Sequence, residues 1–507
     1  MRRLFCLGLI ISAGAIAGCT DTPPQPSIDA AGSGGTSPDA GSAGGGGSSA
    51  AGAGGAGGSA GAALGGSAGS DAGLGGSSAG GAGGTAGLGG TGGFGGIAGA
   101  GGAGGTAGAG ATGGAGVAGG AGGAAGTPQL APPAPTGLAA INSDFSTTSL
   151  SILSAAGALV RADCVDSATG ANGGSSKTIS GDAVMPSQPQ LGGGVVILDR
   201  GNGALTFVDP VQCRITRQIA IPGGANAYPH DLVILSDHKA YVTRYSKNLA
   251  ATDPTLAGND VSVIDPTSGA QTARIGLDAY ASVVSGATIL ARPDRALIAA
   301  GKVVLSLDEI DAKYAAYGEG KIVVIDPATD QVTASVALTG LYDCEGMSYL
   351  ESTKTLLISC GGPYAAQDRA LRSGIAVVDL GASPPSLTRA ISAVAFDDRP
   401  INFSWVIGLP PTAGGTRAFA GTSDPTAGTP DALFAFDYVL GTATEFATSD
   451  AFTFGQPAGL PGLLLVPDAT FMTPQIKVYD VSGTPRATTS FTSDPITGLP
   501  PQAVSWY

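Results

Sequence analysis

The chain is poor in the residues that most chemistry uses. Two histidines, His230 and His238, occur in 507 residues, and only 12 % of the residues are charged. Neither an Hx3H nor an HExxH pair exists, so a histidine-rich copper or zinc centre is not expected. No GxSxG surrounds a serine, no lysine completes a phosphate-binding loop, and no CxxC is present. Beyond the N-terminal segment no apolar run is long enough to cross a bilayer. Basic residues are scarce as well: 24 Lys and Arg face 38 Asp and Glu, for a net charge of −14. Such a surface repels nucleic acid and anionic lipid headgroups, and nucleic acid is not expected as a partner.

What is abundant is glycine, 86 residues of it, most of it in one stretch. Residues 1–19 read as a targeting segment, with Arg2 and Arg3 before an apolar core from Leu4 to Ala17. It ends in Ile16-Ala17-Gly18-Cys19, which resembles the lipobox of bacterial lipoprotein signal peptides. The resemblance implies cleavage before Cys19, lipid modification of its thiol and a membrane anchor on the cell envelope. Asp does not directly follow the cysteine, which leans the expected location to the outer membrane. Residues 20–133 are Gly-, Ala- and Ser-rich, with too little charge and apolar bulk to fold. As a coil of about 110 residues they would span about 60 Å, a tether for the remainder of the chain.

Residues 134–507 are different, rich in Val, Ile, Leu and Thr. Gly320 to Leu338, GKIVVIDPATDQVTASVAL, shows the plan. Ile322 to Ile325 form an unbroken apolar run, the mark of a strand buried on both faces. Asp326-Pro327-Ala328-Thr329-Asp330 makes a turn, and an alternating outer strand comes after it. The run-then-turn element recurs seven times, ending at Ser154, Asp209, Asp265, Asp326, Asp379, Asp437 and Asp480. Most copies are preceded by a second strand, such as VVILDR (195–200), KAYVTR (239–244), RALIAA (295–300) or TLLISC (355–360), and by a third further upstream. Four antiparallel strands per repeat with almost no helix describe an all-β, seven-bladed β-propeller. Tyr241-Val242-Thr243 and the VxVIDPxT pattern at 261 and 322 resemble the YVTN family of seven-bladed propellers, over residues 138–507. The first copy lacks an inner strand and 499–507, LPPQAVSWY, is left over, so the C-terminal strand should close the ring.

Export implies an oxidising setting. Cys344 and Cys360 flank a short hairpin and are expected to form a cross-strand disulfide; Cys164 and Cys213 pair by elimination. Loops between blades, and between second and third strands, are the long ones (165–180, 245–259, 276–286, 302–319, 361–373, 422–431). A ligand site is therefore expected on that face near the axis. The candidates there are Arg200, His230, Asp231, Arg244, Tyr245, Asp343, Glu345 and Trp405. His230-Asp231 reads either as a base with its orienting carboxylate or as a loop-capping pair. Asp308, Glu309 and Asp311 suggest calcium, but Ser306-Leu307-Asp308-Glu309 also matches a capping box opening a short helix to Tyr317, the preferred reading. No metal and no cofactor is expected. The sparse ionisable residues favour a lipid-anchored module that binds a protein or glycan. The alternative is an exported propeller enzyme, a lactonase-like hydrolase or a quinone-dependent dehydrogenase.

Overall fold

The structure is a computed structural model that describes residues 130–507, apart from 170–176, 365, 410–414, 425–427, 451–452, 461, 471–472, 481 and 486–497. The leader, Cys19 and the tether up to residue 129 lie outside the described residues. The described chain is almost wholly strand, in eight antiparallel sheets. Seven of them succeed one another as the blades of a closed propeller. Six blades have four strands; the seventh shows three, Ala458–Leu460, Leu463–Asp468 and Gln475–Asp480. Among the described residues no helix is long and apolar enough to cross a membrane.

The two-sided apolar runs do what their pattern requires. In the third strand of blade 4, Glu319–Asp326, Val323 and Ile325 pack with Val261 and Val303, between blades 3 and 4. Ile322 and Val324 point the other way and pack with Leu356 and Val378 of blade 5. Successive strand residues face opposite sides, so each run is shared between two blade interfaces. The aspartate that ends the run also has one role throughout. Asp209, Asp265, Asp326, Asp379, Asp437 and Asp480 each accept from the backbone N–H two residues ahead, at 2.7–2.9 Å, closing an Asx turn.

The ring closes as its ends suggest. The C-terminal strand Pro501–Trp506 is the inner strand of blade 1, paired antiparallel with Leu138–Ser143 from Leu138↔Trp506 to Asn142↔Pro501. Both disulfides are present. Cys344 and Cys360 face each other in register on the first two strands of blade 5. Cys164, on the outer strand of blade 1, is joined to Cys213 in the last turn of blade 2.

Blade 4 departs from the sequence reading. Of residues 295–300, expected as the second strand, 295–299 belong to its inner strand, Pro293–Ala299, and the second strand is Lys302–Leu307, KVVLSL. The expected loop at 302–319 is thus a strand and then a shorter loop. The expected helix from Ser306 to Tyr317 does not form. Ser306 lies in mid-strand against Ile322, and its Oγ accepts from Arg295 N rather than capping a helix. Ile310–Asp311 instead joins Val283–Val284 and Ala287–Leu290 in a small three-stranded sheet made from the long loops of blades 3 and 4.

Candidate functional site

The propeller places chemically equivalent positions side by side. Just before the inner strands of blades 3, 4 and 5 stand Tyr228, Arg292 and Asp343, all with left-handed backbone (φ 50°, 48° and 56°). Each carbonyl accepts from a residue near or just past the end of the paired second strand: Tyr245 N, Asp308 N and Gly361 N. Non-glycine residues rarely adopt this conformation, and its recurrence in three consecutive blades marks a constrained region. Two residues further on come His230, Asp294 and Glu345. These three, with Tyr245 and Asp308, are buried together around the axis.

The histidine is fixed tightly. His230 Nδ1 lies 2.5 Å from Asp294 Oδ2, and its ring stacks on Tyr245 with centroids 4.1 Å apart and planes within 4°. Its Nε2 has no partner among the described residues. Burial lowers the His230 pKa despite the Asp294 charge that opposes it. Burial pushes Asp294 up, but His230 and Arg295 outweigh it and hold that carboxyl below its usual value. Arg295 Nε lies 3.0 Å from Asp294 Oδ1.

The carboxyls beyond this pair are less well served. One oxygen each of Asp294, Asp308 and Glu345 lies within 4.8 Å of the others. Burial, then repulsion from Asp294 and from the other acids of the group, raises Asp308 and Glu345 well above the carboxylate range. Asp343 is pushed up to about 7 by burial, against the pull of Arg369. Arg292 binds the Ile310 and Asp311 carbonyls and stacks over Tyr314 and Tyr245, at 4.0 and 4.9 Å to the ring centroids. Arg295 also lines a cavity of about 90 Å³, with Ser187, Trp405, Gln456 and Ser505 among others, which His230, Asp294, Asp308 and Glu345 do not line. Arg295 therefore links the cavity to the acids.

Of the eight residues singled out by sequence, His230, Tyr245 and Glu345 stand in the cluster, and Asp343 lies beside it. Arg200 is one blade away, 5.1 Å over the Tyr228 ring and paired with Asp182. Trp405 is buried on the cavity wall. Asp231 is not the partner of His230. Its carboxylate accepts from Ser187 N, Leu232 N and Ala296 N, at 3.0, 2.8 and 2.8 Å, tying together the chain of blades 2, 3 and 4. Gly346 occupies the corresponding place in blade 5, where a Cβ would come 2.5 Å from the Trp405 backbone.

Arg244 is committed within blade 3. Its guanidinium makes two 2.7 Å bonds to Asp260 and also donates to the Pro222 and Thr255 carbonyls, with 0 % exposure of both charged side chains. Arg274 also pairs with Asp260, so loss of Arg244 leaves that carboxylate one cation but strips the Pro222 and Thr255 carbonyls of their donor and empties a buried guanidinium site. Arg244→Ala is expected to cost several kcal/mol, read as a fall in melting temperature. An unchanged melting temperature would free Arg244 for the ligand-binding role its position in sequence suggests.

Asp294, Arg292 and Arg295 escaped the sequence reading, because the segment carrying them passed for a loop and a second strand. Aligning the blades on the position two residues past the left-handed turn would have set Asp294 beside His230 and Glu345.

No family model and no curated protein matches the chain. Solved structures resemble it at low identity. Hydrazine synthase of Kuenenia stuttgartiensis is 14 % identical, with 61 % of this chain and 79 % of that chain covered and a TM-score of 0.40. A candidate 6-phosphogluconolactonase from Bacteroides uniformis is 12 % identical, with 73 % and 99 % covered and a TM-score of 0.47. Apo AztD from Citrobacter koseri is 13 % identical, with 73 % and 89 % covered and a TM-score of 0.38. Each of these TM-scores is under 0.5, and the propeller-like fold rests on the chain's own strand topology.

Proposed function

We propose that this chain is an exported propeller enzyme, lipid-anchored through Cys19, that hydrolyses a small ester or lactone at the axial cluster of blades 3–5. The observation that carries the reading is the buried His230–Asp294 pair. Asp294 takes the Nδ1 proton in a hydrogen bond and so leaves Nε2 as a bare acceptor. In this reading Nε2 accepts a proton from water as the water oxygen bonds to the carbonyl carbon. The ester C–O bond then breaks, and His230 returns the proton to the leaving alkoxide oxygen. Arg295, on the cavity wall, supplies a guanidinium for an anionic group of the substrate.

Burial supports a small-molecule substrate over a protein or glycan partner on this surface. His230, Tyr245, Asp343, Glu345 and Trp405 are each 1–4 % exposed, so a macromolecule cannot touch them without opening the ring. The test is turnover of a panel of γ- and δ-lactones and p-nitrophenyl esters by the purified full-length chain, tracked by acid release. Hydrolysis that disappears in His230→Ala, with the melting temperature kept, is expected. Absence of turnover across the panel, or turnover untouched by that change, would overturn the reading.

A further inference from the structure

We propose that Asp294, Asp308 and Glu345 together bind one calcium ion at the propeller axis. This deepens the hydrolase reading by naming the charge that would polarise the substrate carbonyl, and it rests on that reading for the ion's use but not for its binding. The three acids come from two neighbouring blades. Asp294 and Glu345 hold equivalent places on adjacent inner strands, and Asp308 comes directly after the second strand of blade 4. Oxygens bound to calcium at about 2.3–2.6 Å lie about 3.3–3.7 Å apart when adjacent and about 4.6–5.2 Å apart when opposite. One oxygen from each of these acids falls within 4.8 Å of the other two, which fits that spacing without movement of the strands.

The crowding of acids alone would not make a site. A second observation points to a cation. Neither oxygen of Asp308 nor Oε1 of Glu345 has a hydrogen-bond partner among the described residues, although both side chains are at most 1 % exposed. The Tyr245 hydroxyl, equally buried, faces Asp308 and is the one donor near it among the described residues. Buried polar atoms in folded proteins are nearly always paired, and a single hydroxyl cannot serve both oxygens of Asp308 and Oε1 of Glu345. Among the described residues the nearby cations form no ion pair with Asp308 or Glu345, the two unpaired acids. Arg295 pairs with Asp294, Lys321 with Glu309 and Arg200 with Asp182, while Arg292 donates to carbonyls.

The donors select the ion. They are all oxygen, which suits calcium, magnesium or manganese before zinc. His230, the imidazole nearby, is not among the side chains whose ligand atoms all lie within 4.8 Å of one another. Magnesium demands strict octahedral geometry and keeps several waters, which a closed cluster of three carboxyls and a phenol hardly accommodates. Calcium takes six to eight oxygens in loose geometry, including several from one carboxylate, and gives up its water more readily.

The experiment uses the full-length chain, stripped with chelator and returned to calcium, magnesium, manganese or zinc chloride in turn. Equilibrium dialysis should find one calcium per chain, and calcium at millimolar concentration should raise the melting temperature by several degrees, more than magnesium does. Asp308→Asn and Glu345→Gln should each weaken calcium binding by more than about tenfold. Without metal, both variants should melt no lower than the unaltered chain, because each removes one acid from a crowded buried group. A folded chain that binds no calcium at 5 mM, on the order of the weakest extracellular sites, overturns the proposal. So does calcium binding of equal strength in both variants, or tighter binding of zinc than of calcium at this cluster. These readouts are independent of turnover. Calcium bound without hydrolysis would fault the enzyme reading alone, and hydrolysis in chelator would fault the ion alone.

Discussion

A chain cut after Pro500 is expected to lose its native fold, although only seven residues are removed. The strand Pro501–Trp506 holds three blades at once. It pairs along its length with Leu138–Ser143 of blade 1, and the Tyr507 carbonyl accepts from Thr136 N at 2.7 Å. Toward blade 7, Trp506 Nε1 donates to the Gly459 carbonyl at 2.7 Å, and Val504 N donates to the Gln456 carbonyl at 2.8 Å. Toward blade 2, Ser505 Oγ donates to the Pro186 carbonyl at 3.2 Å. Val504 is 1 % exposed and packs with Leu138, Leu465 and Val478, so its loss also opens the interface between the first and last blades. Several hydrogen bonds at about 1 kcal/mol each, with one buried valine and the tryptophan, amount to several kcal/mol. That is on the order of a whole domain's margin of stability. Circular dichroism melting of the full-length and truncated chains measures it. A truncated chain that melts cooperatively at the same temperature would mean that the ring does not depend on this clasp.

Much of this architecture was legible in the sequence for local reasons. A two-sided apolar run has one stable use, between two sheets, and Ile322 to Ile325 serve it. An aspartate with Pro or small residues after it makes its own Asx turn, whatever the rest of the fold does. Cys344 and Cys360 flank one short hairpin, which brings them close, and a one-residue bulge between Cys344 and Met347 sets them opposite each other. The site was harder to see because it is assembled from strands far apart in sequence. His230 and Asp231 are chain neighbours, but successive strand residues face opposite sides. Asp231 therefore binds backbone N–H groups of neighbouring blades, while His230 meets Asp294, 64 residues away. At Ser306 to Glu309 a local signal misled. The capping-box spacing is real, but Val303, Val304, Leu305 and Leu307 are each 0 % exposed between blades. Their burial outweighs the modest gain of a short helix. Reading that segment as a strand ending at Leu307 would have placed Asp308 beside the axis.

Asp294→Asn is expected to remove nearly all hydrolysis while leaving the fold and KM close to those of the unaltered chain. The substitution preserves size, so the inner strand Pro293–Ala299 and its packing should stay. What changes is the proton on His230. A carboxylate at 2.5 Å from Nδ1 holds the proton on that nitrogen and leaves Nε2 free to accept. An asparagine can present its amide N–H instead, which favours the opposite tautomer and puts the proton on Nε2. The base is then blocked before water arrives, and kcat should fall about 10²–10⁴-fold, the usual worth of a positioned base and its orienting acid. Asp294 acts here as a positioning residue, so rate alone is not a sufficient test. Nitrogen NMR of labelled His230 should show the proton moving from Nδ1 to Nε2 in the variant, which a loss of packing would not produce. The assay is run at saturating calcium, because the same substitution removes one proposed ligand of the ion. If the tautomer changes while kcat stays within a few-fold, His230 is not the base. If kcat collapses with the tautomer unchanged, Asp294 acts through the carboxylate cluster rather than through the histidine.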